Sequence, residues 1–338
     1  MGRLTIDGTI DLAQFWPTGE SDADTTKLIV NVSPGAIRYE PPNAPVQTTT
    51  VFDGSYVRSS GASRPVIKNG KLTVRLQGLD APELHVQPQS MKGIKYKGRD
   101  LGSLRGSGLI KSYRQHQAET ATVQLSAYLS TLGASPLPCR FFTQVHDDDG
   151  PSDALDKYGR FVGNILIEGI DLNLEILRRG LAVIALYNSM QRSEIEACLA
   201  AWEIGRTISG GIVRYMSKTI GPFDETLTYN QPPDASFTPE SSKKFIHPKL
   251  FRRYCTWWAY RQFGTFKSGF DTFLTLSKND LYYELSDLLN GGVFAARPLP
   301  LEKMVRSGKT VRYSPEEVVF KESASRLYAS DGKAIEHW

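Results

Sequence analysis

The chain has 338 residues and a formal net charge of +4, so it is long enough for two domains and only mildly basic, which permits a polyanionic partner without requiring one. No apolar run is long enough to cross a bilayer as a helix, and the opening MGRLTIDGTIDL lacks the apolar centre of a secretion signal. Cys139, Cys198 and Cys255 are far apart and in no metal-ligand spacing, so the expectation is a cytoplasmic protein with reduced cysteines and no membrane partner.

In chain order, LTIDGTIDLAQF (4–15) reads as a strand or strand pair and TKLIVNV (26–32) as another. A stretch rich in Pro, Gly and Thr follows, with loops and an extra hairpin expected before the next strand. In LTVRLQGLDAPELH (72–85), Leu72, Val74 and Leu76 alternate with Thr73, Arg75 and Gln77, the two-residue period of a half-buried strand. The strand then breaks into a turn holding Asp80 and Glu83. Residues 86–112 form a basic, glycine-rich loop. RQHQAETATVQLSAYLSTLG predicts a helix ending at Gly133, PCRFFTQV and RFVGNILIEG predict strands, and DLNLEILRRGLA and SEIEACLAAWEIGRTI predict two more helices. GPFDETLTYNQPPDASFTPESS (221–242) has four prolines and four acids with no base, the composition of a linker. A chain cut near Gly221 is therefore expected to keep a folded N-terminal core.

Arg75 leaves a strand just before a pair of carboxylates, and DKYGR (156–160) brings a second arginine, Arg160, at the start of another strand. A guanidinium keeps its charge and presents a planar fork that matches a phosphate. Two arginines and a carboxylate pair suit a phosphodiester with a hard cation, one acid activating water while the arginines neutralise the transition state.

RLQGLDAPE, DKYGR and LEILRRGLA, in this order, resemble the staphylococcal nuclease (thermonuclease) family across roughly residues 4 to 215. The resemblance implies an α+β fold: an OB-fold five-stranded β-barrel with three helices. It implies a nuclease domain over 1–218 with insertions at about 33–70 and 86–112, then a linker at 219–242 and a mainly helical or irregular accessory region over 243–338. The implied activity is an endonuclease hydrolysing DNA, RNA or both, dependent on calcium or another divalent cation. Residue by residue, Arg75 and Arg160 match the phosphate-clamping arginines and Glu83 the general base. Asp80 and the Ala81 carbonyl match metal ligands, and Lys157 and Tyr158 match contacts to a neighbouring phosphate. Leu186 stands in register with a family tyrosine and Tyr187 lies one position later, the candidate for that contact. For the remaining metal ligand, DADTTKL (22–28) offers Asp24, whereas DGSYV (53–57) places Ser55 where an aspartate is needed; Asp24 is the preferred ligand, which makes the intervening residues an insertion between two barrel strands. The alternative reading is a non-catalytic OB-type nucleic-acid-binding or scaffold protein; a third is a protein-recruited or self-inhibited nuclease, with the C-terminal region a candidate surface for a protein partner.

Two further stretches draw attention. HDDDG (146–150) reads as a solvated turn. Between Ser241 and Phe270, seven Lys or Arg and nine aromatics occur without an acid. That pattern fits a single-strand-binding platform or, more simply, a helix whose aromatics fill a core.

Overall fold

The computed structural model describes residues 2–42, 45–49, 54–57, 63–145, 154–156, 158–229, 240, 242–276, 280–321 and 327–329. The chain divides into two compact units, one made of residues 1–77, 123–176 and 322–338, the other of 78–122 and 177–321.

The first unit is built on a closed barrel of five strands, β1 (Gly2–Ile10), β2 (Thr25–Val30), β3 (Lys71–Leu76), β4 (Leu137–Val145) and β5 (Phe161–Ile167). The order is β1-β2-β3-β5-β4, and β4 closes on β1 in an antiparallel ladder from Gly2 opposite Val145 to Ile10 opposite Leu137. β3 and β5 run parallel, Val74 facing Phe161. Period-two alternation decides which side chains fill the barrel. Leu4, Ile6, Ile10, Leu28, Leu72, Val74, Leu76, Phe141, Val145, Phe161, Ile165 and Ile167 are all at most 2% exposed. Removing each from water contributes about 1.5–3 kcal/mol. A slip of one residue between β1 and β4 would turn this set outward. The observed register instead sets Asp7 opposite Arg140, where Arg140 Nε donates to Asp7 Oδ1 at 2.6 Å on the wet side. Gly163 is required where β5 crosses β4, since a Cβ there would lie 2.4 Å from the Phe142 carbonyl oxygen.

β2 lies antiparallel beside β3, Thr25 opposite Arg75, as the DADTTKL alignment expects. The chain between them is an excursion: Ile37–Glu40 pairs with β1, Gln47–Thr49 pairs with Ile37–Glu40, and Gly54–Val57 joins a separate sheet with Ser63–Pro65 and Leu327–Ala329. Ser55 is in that separate sheet; Asp53 and the HDDDG stretch lie outside the described residues. The three helices expected in this part of the sequence are α1 (Ala118–Ser130), α2 (Leu172–Arg178) and α3 (Arg192–Gly205). α3 opens with a capping box between Gln191 and Glu194.

The second unit has its own five-stranded sheet, ordered Leu299–Pro300, Leu281–Glu284, Val318–Phe320, Val183–Tyr187 and Gly78–Asp80. α4 (Pro248–Gln262), α5 (Phe270–Leu274) and α6 (Leu285–Ala295) belong to the same unit. Pro248 occupies the first turn of α4, where its missing N–H costs nothing, and His247 caps it. The core joins Leu101, Leu104 and Tyr113 to Ile220 and to Leu250, Cys255, Tyr260, Phe266, Phe270, Tyr282 and Phe320. A division at residue 218 would cut through this core. The compact units follow the packing of distant segments, which the composition change at the proline-rich stretch does not report. Of the expected linker, residues 219–229, 240 and 242 are described; Ile220 is 8% exposed, and the Tyr254 hydroxyl donates to the Gly221 carbonyl.

The basic loop at 86–112 is stitched to α4. The Gln89 N–H donates to Thr256 Oγ1 at 3.1 Å, and the Met91 N–H donates to the Tyr260 hydroxyl, which in turn donates to the Gly102 carbonyl. Most aromatics of the 241–270 stretch are core, Phe245, Phe251, Tyr254, Trp258, Tyr260, Phe266 and Phe270 all being buried. The stacking platform is thereby replaced by the simpler reading: the apolar rings bury because a helix of this length must hide one face.

These contacts reverse the expectation for the shortened chain. A 1–220 fragment should aggregate or remain partly unfolded, because Leu101, Leu104 and Tyr113 lose the core they pack into. Its solubility and near-ultraviolet circular dichroism, compared with the full chain, provide the check; a soluble fragment with native signal would contradict the shared core.

Candidate functional site

In the barrel unit the DADT turn is folded by its first aspartate, whose Oδ1 accepts the N–H groups of Asp24 and Thr25, an Asx turn that hands the chain to β2. Asp24 is 1% exposed, and its Oδ1 lies 2.6 Å from Nη1 of Arg75, itself 7% exposed. Arg75 thus leaves the polar side of β3 as expected, but into an ion pair sealed from water. The Thr25 hydroxyl donates to Asp24 Oδ1 at 2.9 Å and accepts from Arg160 Nη1 at 3.2 Å. The DKYGR turn is organised by Asp156, which accepts the N–H groups of Tyr158 and Arg160 and takes the Arg160 guanidinium at 2.6–2.7 Å. Arg160 also stands over the ring of Tyr158, at 5.4 Å, and that ring is half exposed. Asp24, Arg75 and Arg160 are therefore joined in one polar chain through Thr25. Lys157 lies outside the described residues.

In the second unit, Asp80 ends the strand Gly78–Asp80 opposite Val183, and Gly78 bends that strand at φ +83° with Cys198 packed where a Cβ would be. Gln115 holds the following turn: its side chain accepts the Glu83 N–H at 3.2 Å and its N–H donates to the Glu83 carbonyl at 2.7 Å. Ala81 is buried. Both carboxylates are engaged by one residue of α4. Arg252 Nη2 donates to Asp80 Oδ1 at 2.6 Å and its Nε donates to Glu83 Oε1. The side chains of Asp80 and Glu83 are only 2% and 13% exposed.

Around this triad, burial pulls His247 down to about 4, against the opposing pull of Asp80. Its Nδ1 accepts the Lys249 N–H and caps α4. Burial also pulls Lys249 down to about 7, the amine lying 3.8 Å from the centre of the Phe320 ring and 5.2 Å from that of Tyr187. Tyr187 is half-buried and Leu186 fully buried.

The calcium expectation can be set against these partners. A hard divalent cation needs several oxygens free to face it. Asp24 is committed to Arg75, and Asp80 and Glu83 to Arg252; among the described residues no group of three or more His, Cys, Asp or Glu side chains is arranged to hold a metal. The residues as placed do not fit a calcium ion. Arg252, His247 and Asp156 are the participants that sequence reading passed over. Asp156 was visible inside DKYGR, but Arg252 is one of many cations in a basic stretch 169 residues from Glu83, and no local spacing marks it.

Residues 140–205 match the sequence family described as staphylococcal nuclease homologue, a span running from inside β4 through α3. It contains Asp156, Tyr158, Arg160 and Tyr187 and leaves Asp24, Arg75, Asp80 and Glu83 outside. No curated protein matches the chain. The matched segment, on a closed five-stranded barrel, supports a nuclease or nucleic-acid-binding role, and among the described residues no helix is long and apolar enough to cross a membrane.

Two measurements follow from these environments. Arg75→Ala should lower unfolding stability in urea by about 3–5 kcal/mol, the scale of leaving a buried carboxylate without its cation; a loss under about 1 kcal/mol would place the pair among ordinary surface ion pairs. His247 binds protons more weakly folded than unfolded, so stability should rise with pH between about 4 and 6.5. His247→Asn, which keeps an acceptor for the helix cap, should flatten that slope.

Proposed function

From the matched segment and the barrel that carries it, we propose that the chain acts on the phosphodiester backbone of DNA or RNA as a nuclease of the thermonuclease type. The observation that supports this reading most directly is the polar chain Arg75–Asp24–Thr25–Arg160. It holds two guanidiniums in one network, Arg75 buried on β3 and Arg160, within the matched segment, in the turn before β5. A phosphoryl group gains paired, charge-assisted hydrogen bonds from such forks, and these strengthen as charge builds in the transition state. Glu83 takes the role of general base toward water, and Tyr158, half exposed beside Arg160, that of a contact to the adjoining strand. The exposed cations Lys92, Lys95, Lys97, Arg99, Arg105 and Lys111 of the basic loop give the second unit a face suited to a polyanion.

A binding-only protein is the second reading, and a specific observation favours it. Asp24 and Asp156 already neutralise Arg75 and Arg160, so a phosphate must compete with built-in carboxylates.

Purified full-length chain incubated with single- and double-stranded DNA and RNA, with calcium or with chelator, separates the two. Cleavage is expected, with Glu83→Gln slowing it by roughly 10²-fold or more while retention on nucleic acid persists. Arg160→Lys should also lose turnover, because an ammonium cannot reproduce the fork. Wild-type protein that binds nucleic acid but cuts none of these substrates would leave the binding reading.

A further inference from the structure

We infer that Arg252 is the resident counter-ion of the Asp80–Glu83 carboxylate pair and stands in place of the divalent cation that the resemblance assigns to it. The inference deepens the proposed reading, in that it takes Asp80 and Glu83 as the pair at which a cation is needed. Within the second unit the geometry is that of a bridging cation: two different nitrogens of one guanidinium donate to two different carboxylates, Nη2 to Asp80 and Nε to Glu83. Arginine can do this because its fork is planar and permanently charged. Lysine, a point charge, would favour one acid over the other.

Solvation makes the contact more than decoration. With Asp80 nearly sealed and Glu83 little exposed, water cannot neutralise either acid, and a buried carboxylate requires a paired cation. The position of Arg252 is also fixed by its helix. Its own carbonyl accepts the Thr256 hydroxyl, the neighbouring Leu250, Cys255 and Ala259 are fully buried, and Thr256 and Tyr260 take the N–H groups of Gln89 and Met91. The segment following Glu83 is therefore tied to the helix that delivers the guanidinium. A calcium ion approaching the same oxygens would meet that fixed positive charge in a poorly screened setting, where like charges repel strongly. Asp280 pairs with the adjacent Arg253, so the two arginines of this turn of α4 meet different acids.

The deciding experiment is calcium binding by the full chain, read as calorimetric titration and as the urea midpoint in calcium against chelator. The set is wild type, Arg252→Ala, Arg252→Gln and each combined with Asp80→Asn. The wild type should show no calcium binding that Asp80→Asn removes, and an unchanged midpoint. Both Arg252 variants should have a lower midpoint in chelator that calcium raises, the rise disappearing when Asp80→Asn is added. Asp80-dependent calcium binding by the wild type overturns the inference, and so do folded Arg252 variants that gain no calcium response. Should neither variant fold, the wild-type titration decides alone. Because the readout is ion binding, a chain that cleaves nothing still answers the question, and failure of the nuclease reading is scored separately by cleavage.

Discussion

A carboxylate held away from water has to find a cation, and in the second unit that requirement ties together three distant parts of the chain. Asp80 ends the Gly78–Asp80 strand and Glu83 follows in the turn, Arg252 comes from α4, and Gln115, just ahead of α1, holds the Glu83 backbone. The energetic logic is asymmetric. The assembled ion pairs add modest net stability, whereas removing the guanidinium alone leaves charge with no solvent to relieve it. Residues after 243 are for that reason part of the structure that shapes the DAPE turn, and the sheet joining Val183–Tyr187 to Val318–Phe320 and Leu281–Glu284 has the same consequence.

The barrel unit meets the same constraint with closer sequence neighbours. Asp24 neutralises Arg75 across the β2–β3 ladder, and Asp156 neutralises Arg160 within a single turn. Thr25 links the two pairs by donating to one and accepting from the other. Each guanidinium keeps a defined direction before any ligand arrives. Such preorganisation lowers the reorganisation needed on binding a phosphate, at the expense of displacing an internal partner.

The candidate site was legible where chemistry and chain proximity coincide. DKYGR shows its arginine and the aspartate that folds the turn within five residues, and LTVRLQG shows Arg75 by alternation alone. DADTTKL was identifiable as the strand beside LTVRLQG because it holds both acids before an apolar run, and β2 does pair with β3. Arg252 was not legible. Its stretch reads as a basic amphipathic helix, and which of its cations meets Asp80 depends on where α4 docks, a matter of packing rather than spacing. The division near 218 and the compact units rest on different signals. Proline and acid content mark a change in local chain behaviour, whereas a core is defined by which apolar faces meet, here Tyr113 with Trp258 at 5.5 Å between ring centres.

Sequence by itself determined the strands of the barrel, their inward faces and the helices α1 to α3, because period-two and helical patterns are local and each residue's neighbours along the chain already set its side. It also determined the presence of two arginines and three acids of the right kinds. Only the tertiary structure decided what those charges do. Burial removes most of the solvent that would otherwise neutralise the three acids, so each takes a cation that the fold delivers, and Asp80 and Glu83 share Arg252.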